Sequence, residues 1–124
     1  MAVILVVEDH PDNMLLTVLL LESAGHTVLS AIDAEAGLAL ARERLPALNL
    51  MDVQLPGMDG LEATALLKQD AATRAIPVIA LTALAMKGDE ERIRAAGCDG
   101  YIAKPLAYVD FLTVIAAQLA TAPV

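Results

Sequence analysis

Four places in the sequence set a reactive or ionic side chain directly after an apolar run: Glu8-Asp9 after VILVV, Asp52 after LNLM, Thr82 after PVIAL and Lys104 after GYIA. Charged groups are rarely buried unless they are paired or bind a metal, so an acid such as Asp52 closing an apolar segment needs a reason. Three carboxylates held together would repel, and each would have a raised pKa unless a cation joined them. Oxygen ligands without a His or Cys cluster suit a hard divalent ion, and few protein ligands with open water positions suit Mg²⁺ better than Ca²⁺. Such an ion prepares a site for a phosphoryl group, because it bridges carboxylate and phosphoryl oxygens and neutralises charge during transfer. Lys104 would add a mobile positive charge and Thr82 a hydroxyl donor, with the small Ala83 leaving room beside it. On this chemistry Asp52 is a nucleophile that becomes an aspartyl phosphate.

The elements that must position these groups can be read from the pattern. Strands are expected at Val3–Val7, Thr27–Ala31, Leu48–Met51, Pro77–Leu81 and Gly100–Ala103. Helices are expected at Asp12–Ala24, Ala34–Arg44, Leu61–Gln69, Lys87–Ala96 and Ala107–Ala120, with Gly25, Pro46 and Gly97 where helices should stop. VILVV and PVIAL are apolar on both faces, which is how strands covered on both sides by helices look. Strict β-α alternation therefore predicts an α/β fold, a doubly wound five-stranded parallel sheet with right-handed crossovers. The functional crevice of such a sheet lies beyond the carboxyl ends of its strands, where the acids, the hydroxyl and the ammonium all fall. The second strand ends in SAID and adds nothing comparable.

The 124 residues are expected to form a single domain, 1–124, with no output domain. Eight basic against sixteen acidic residues give a net charge of -8, which disfavours nucleic acid, whose phosphates need a basic stripe. The longest apolar run, Met14 to Leu21, is far short of the roughly 20 residues of a membrane span, and no basic region precedes the first apolar segment as in a signal peptide. A cytoplasmic location is expected. Cys98 stands alone, so it reads as a small buried hydrophobe.

The order VVED, LMDVQLPGMDG, ALTA and GYIAKP resembles the receiver domains of two-component response regulators over essentially the whole chain. Each motif is weak alone; agreement of the strand ends in type, order and spacing makes the signal. The resemblance implies a flavodoxin-like sheet of order 2-1-3-4-5, Asp52 as phosphoacceptor, and Mg²⁺ held by Asp9, Asp52 and the main-chain carbonyl of Gln54, with Glu8 acting through water. It implies a switch through Thr82 and Tyr101 to the helix from Lys87, and a cis bond between Lys104 and Pro105. It further implies a phosphoacceptor that assists its own phosphorylation and dephosphorylation rather than a turnover enzyme. Its partners would be a histidine kinase or histidine phosphotransfer domain and a downstream protein effector, with the chain itself a monomer or weak dimer. VEDHPDNM and AMKGDEERIRAAGCDGYIAKP are similar to stand-alone receivers of the DivK type, which suggests cell-cycle or developmental control; similar words occur in receivers attached to hybrid histidine kinases.

Other readings of the same residues fare worse. A flavodoxin-like cofactor binder would cradle phosphate in its first loop, where EDHPDN presents repelling carboxylates. A phosphatase of the haloacid dehalogenase type wants a second acid two residues after the nucleophile, where Gln54 stands. A non-phosphorylated binding scaffold would have lost part of the acid, hydroxyl and lysine set. His10 reads as solvated, Asp33 and Asp59 as turn or cap residues, and Asp89-Glu90-Glu91-Arg92 as the wet face of a helix. The helix NMLLTVLLLES carries more leucines than one stripe can bury, so exposed apolar surface is expected beside the acids. The resemblance implies that Gln54 and Leu84 set the lifetime of the phosphoryl group, and because an apolar Leu84 cannot position an attacking water, a long-lived phosphoryl state is expected. Asn49 departs from the family, which favours an apolar residue there, and a buried amide costs stability unless satisfied. With Tyr101, Tyr108 and Phe111 the only aromatics, Leu, Val, Ile and Ala must fill the core.

Overall fold

A computed structural model describes residues 2–83, 87–104 and 108–121. Five strands alternate with five helices: β1 Val3–Val7, α1 Pro11–Ser23, β2 Thr27–Ala31, α2 Ala34–Arg44, β3 Leu48–Asp52, α3 Gly60–Gln69, β4 Val78–Thr82, α4 Lys87–Ala95, β5 Gly100–Ala103 and α5 Tyr108–Thr121. All pairings are parallel and the order is β2-β1-β3-β4-β5, as expected. The central strands separate two cores. Leu5, Val7, Met51, Val78 and Ala80 face α2, α3 and α4, while Ile4, Val6, Leu48, Leu50, Ile79 and Leu81 face α1 and α5. Helices on both faces are what the doubly apolar strands require.

Several boundaries move by a residue, each for a local reason. α1 starts at Pro11, where a missing N–H costs nothing at a helix entrance. β3 runs through Asp52 because Asp52 pairs with Leu81 and the Val53 N–H donates to the Leu81 carbonyl at 3.0 Å. β4 likewise includes Thr82, paired with Ala103. Asp33 and Asp59 are caps, their carboxylates accepting the N–H of Ala36 and of Glu62 at 2.8 Å each. Ala107, the expected start of the last helix, lies outside the described residues. Among the described residues no helix is long and apolar enough to cross a membrane.

Cys98 is buried, as expected. Asn49 is fully buried in the middle of β3, and among the described residues neither its Oδ1 nor its Nδ2 finds a hydrogen-bond partner. On α1, Leu20 and Leu21 face the core whereas Leu15, Leu16 and Leu19 stay exposed. Thr17 is buried because its hydroxyl is satisfied within the helix by the Asn13 carbonyl at 2.8 Å.

Candidate functional site

The carboxyl ends of β1, β3, β4 and β5 meet at one edge, and the sheet register sets each side chain there. Val7 of β1 pairs with Met51 of β3, so Glu8 and Asp52 emerge side by side. Carboxylate oxygens of Glu8, Asp9 and Asp52 lie within 4.8 Å of one another. Glu8 and Asp52 are buried, at 1% and 4% exposure, and Asp9 is partly open to solvent. From the far side of the sheet, Lys104 brings its Nζ to 2.8 Å from Glu8 Oε1 and 3.2 Å from Asp52 Oδ2. Its own N–H donates to the Thr82 carbonyl at 2.8 Å, which ties the end of β5 to the end of β4. Thr82 is itself buried there. The Gln54 N–H turns back to Asp52 Oδ1 at 3.0 Å.

This crowding shows in the electrostatics. Burial, and after it the neighbouring Glu8, push the Asp52 carboxyl up to about 7, against the opposing effects of the Gln54 N–H and Lys104. Burial also acts to raise Glu8, but hydrogen bonds with Asp52 and Lys104 outweigh it and leave Glu8 below the usual carboxylate range. For Lys104 burial acts to lower the pKa, and the hydrogen bond to Glu8 and the charge of Asp52 more than reverse it. One ammonium therefore serves two buried carboxylates incompletely. Glu8 Oε2 is buried with no hydrogen-bond partner among the described residues. An all-oxygen cluster short of positive charge, with one member reachable from solvent, fits a hard divalent cation such as Mg²⁺.

Of the residues singled out from sequence, Glu8, Asp9, Asp52, Thr82 and Lys104 come together at this edge, with the Gln54 main chain beside them. Lys104, expected to serve phosphoryl oxygens, pairs with the carboxylates of Glu8 and Asp52. Tyr101 lies on β5, half-buried against the core that faces α4, opposite Ala80 and two register pairs from Thr82 with Ala103. His10 is exposed and is the N-cap of α1. Leu84 and Pro105, and with them the expected phosphoryl lifetime determinant and cis bond, lie outside the described residues. Sequence reasoning missed Gly60, whose Cα packs on the Asp52 peptide. The available signal was its place as the closing residue of LMDVQLPGMDG, at a helix entrance where an acid or serine would cap as well.

Comparison with known proteins agrees with this geometry. Residues 4–116 match the family described as the response regulator receiver domain. Polar-differentiation response regulators DivK from Brucella anthropi and Brucella ovis are each 48% identical over 119 residues, spanning 96% of this chain and 97% of theirs. The receiver domain of a sensor histidine kinase from Pseudomonas aeruginosa PAO1, with a magnesium ion coordinated in its active site cleft, superposes with a TM-score of 0.91 at 32% identity, covering 97% of this chain and 98% of that one. A CheY-like receiver domain protein from Methanospirillum hungatei JF-1 superposes with a TM-score of 0.89 at 30% identity, covering 97% and 94%.

Proposed function

Because this chain belongs to the response regulator receiver domain family, we propose that it is a phosphorylation switch in which Asp52 accepts a phosphoryl group from a histidine kinase or histidine phosphotransfer domain. The observation that carries this reading is the cluster of Glu8, Asp9 and Asp52 oxygens within 4.8 Å, faced by Lys104. An oxygen of the ionised Asp52 carboxylate forms the new O–P bond while the P–N bond of the phosphohistidine breaks, and the departing imidazole nitrogen keeps the electron pair and takes a proton. Asp9, Asp52 and the Gln54 carbonyl are the residues we assign to Mg²⁺, with Glu8 behind them. Held there, the ion would supply positive charge to offset that of the carboxylates and of the incoming phosphoryl group. Lys104 moves from the carboxylates to a phosphoryl oxygen, and the Thr82 hydroxyl donates to another. The chain is a phosphoacceptor switch rather than a turnover enzyme.

The new charge then biases a two-state equilibrium through Thr82 and Tyr101 toward α4. Leu15, Leu16 and Leu19, exposed on the helix that starts just after Glu8-Asp9, offer an apolar face to a helical bundle bringing the phosphohistidine. The DivK relatives are named for polar differentiation, and we infer a comparable role in cell-cycle or developmental control, exerted through protein contacts. Intact mass after acetyl phosphate treatment tests the acceptor. One phosphoryl group added only with Mg²⁺, and absent in Asp52→Asn, is the expected result; equal labelling of the variant would move the acceptor elsewhere.

A further inference from the structure

Gly60 is the first residue of α3, yet the loop it closes belongs to the acid site. A Cβ built on Gly60 would overlap the Asp52 carbonyl oxygen and lie 2.8 Å from its carbonyl carbon and 3.0 Å from Val53 Cα. Every obstacle is backbone, so no rotamer change relieves it. The Gly60 N–H donates to the Val53 carbonyl at 3.0 Å, and the Gly60 carbonyl accepts from Thr64 Oγ1 at 2.8 Å. The Asp59 cap immediately before it sets the entry of α3. Residues 53–60 thus form a closed loop whose two ends touch, and within it Gln54 directs its N–H at Asp52 Oδ1. Gly57 in the same loop is required for its left-handed φ of 73°, and a Cβ there would meet nothing, so close approach of backbone to backbone is the demand particular to Gly60.

We propose that Gly60 is a positioning residue of the acceptor site: its bare Cα lets the start of α3 seat on the Asp52–Val53 peptide, and that contact sets where the Gln54 main chain stands relative to the Asp52 carboxylate. The proposal rests on the assignment of Asp52 as acceptor and of the Gln54 carbonyl to the metal. A side chain at position 60 drives α3 off the peptide and carries the tethered loop with it. Removing a group that orients metal ligands typically costs about 10–100-fold in metal affinity, and misplacing reacting groups by about 1 Å costs about 10²-fold in rate.

The test compares Gly60→Ala with Gly97→Ala. Gly97 lies at the opposite edge of the sheet, where φ is 104° and a Cβ would meet Lys68 Cγ at 2.8 Å, so its variant is strained without touching the acids. Stability is followed by urea unfolding, Mg²⁺ affinity by calorimetry and labelling by intact mass with acetyl phosphate. Gly60→Ala is expected to weaken Mg²⁺ by about 10–100-fold and to slow labelling at saturating Mg²⁺, while Gly97→Ala binds and labels as the native chain does. Native-like Mg²⁺ affinity in folded Gly60→Ala, or equal losses in both variants, overturns the proposal. Amide exchange in the native chain decides the matter if Gly60→Ala does not fold: Mg²⁺ should protect the Gly60 N–H several-fold more than the Gly97 N–H, which lies in a helix-end turn away from the acids, and equal protection overturns it. Failure of the native chain to take a phosphoryl group would strike the acceptor assignment alone, because the affinity and exchange measurements do not depend on labelling.

Discussion

Replacing Asp52 by Asn removes the charge that the fold accommodates worst, and its effect on stability can be worked out. In the unfolded chain this carboxyl ionises near 3.8, whereas in the native state it keeps its proton up to about 7. Between those values the native state binds the extra proton, so its stability is greatest below 3.8 and is lost as pH rises through 7. About three pKa units at 1.36 kcal/mol each set an upper figure of about 4 kcal/mol. Asn resembles the protonated acid and keeps a donor for Glu8, but Lys104 loses its second anion, so a net gain of about 2–4 kcal/mol at pH 8 is expected. The chain has no Trp, so urea unfolding is followed by far-ultraviolet circular dichroism, in EDTA, from pH 4 to pH 8. The advantage of the variant should be near zero at the acid end and grow through neutrality. Saturating Mg²⁺ should then stabilise only the native chain and close the gap. A pH-independent difference, or a native chain more stable than the variant at pH 8 without metal, would refute the account of the crowded carboxylates.

Asn49→Val should stabilise the protein by about 1–3 kcal/mol, since it removes two buried unpartnered polar atoms from β3; a loss in urea unfolding would mean that the amide is satisfied in solution. Leu45 caps α2 at φ 45° and is exposed, so Leu45→Gly should gain about 1 kcal/mol by relieving left-handed strain, and a lower thermal midpoint would contradict this. Lys104→Met leaves Glu8 and Asp52 without their cation, so the pH at which acetyl phosphate labelling reaches half its maximum should move upward; an unchanged profile would remove Lys104 from the site's electrostatics. Asp9→Ala should abolish Mg²⁺-dependent labelling while leaving urea stability in EDTA nearly unchanged, because Asp9 is the member of the cluster open to solvent. Retained Mg²⁺ dependence would refute the ligand assignment.

The alternation of strands and helices was legible because β1, β3 and β4 are buried on both faces and, apart from Asn49 in β3, their runs are apolar up to the residue that closes them. The site was legible for a related reason. A polar residue closing such a run has no packing role to perform, so Glu8, Asp52, Thr82 and Lys104 stand out from sequence alone. Helix α1 was harder, since a helix that is apolar nearly all round carries no stripe to orient it. Only packing against the sheet decided that Leu20 and Leu21 turn inward while Leu15, Leu16 and Leu19 remain outside.

The order and type of the groups at the strand ends were thus written in the chain, because local patterning sets where strands stop and what stops them. Which group touches which was decided by the tertiary structure. The pairing of Lys104 with Glu8 spans 96 positions and exists only because the sheet sets β5 beyond β4 and β3. The raised pKa of Asp52 likewise comes from burial beside a residue 44 positions away, and the demand for glycine at position 60 comes from a loop closing on its own backbone. Each depends on distances through space, which neither composition nor local spacing encodes.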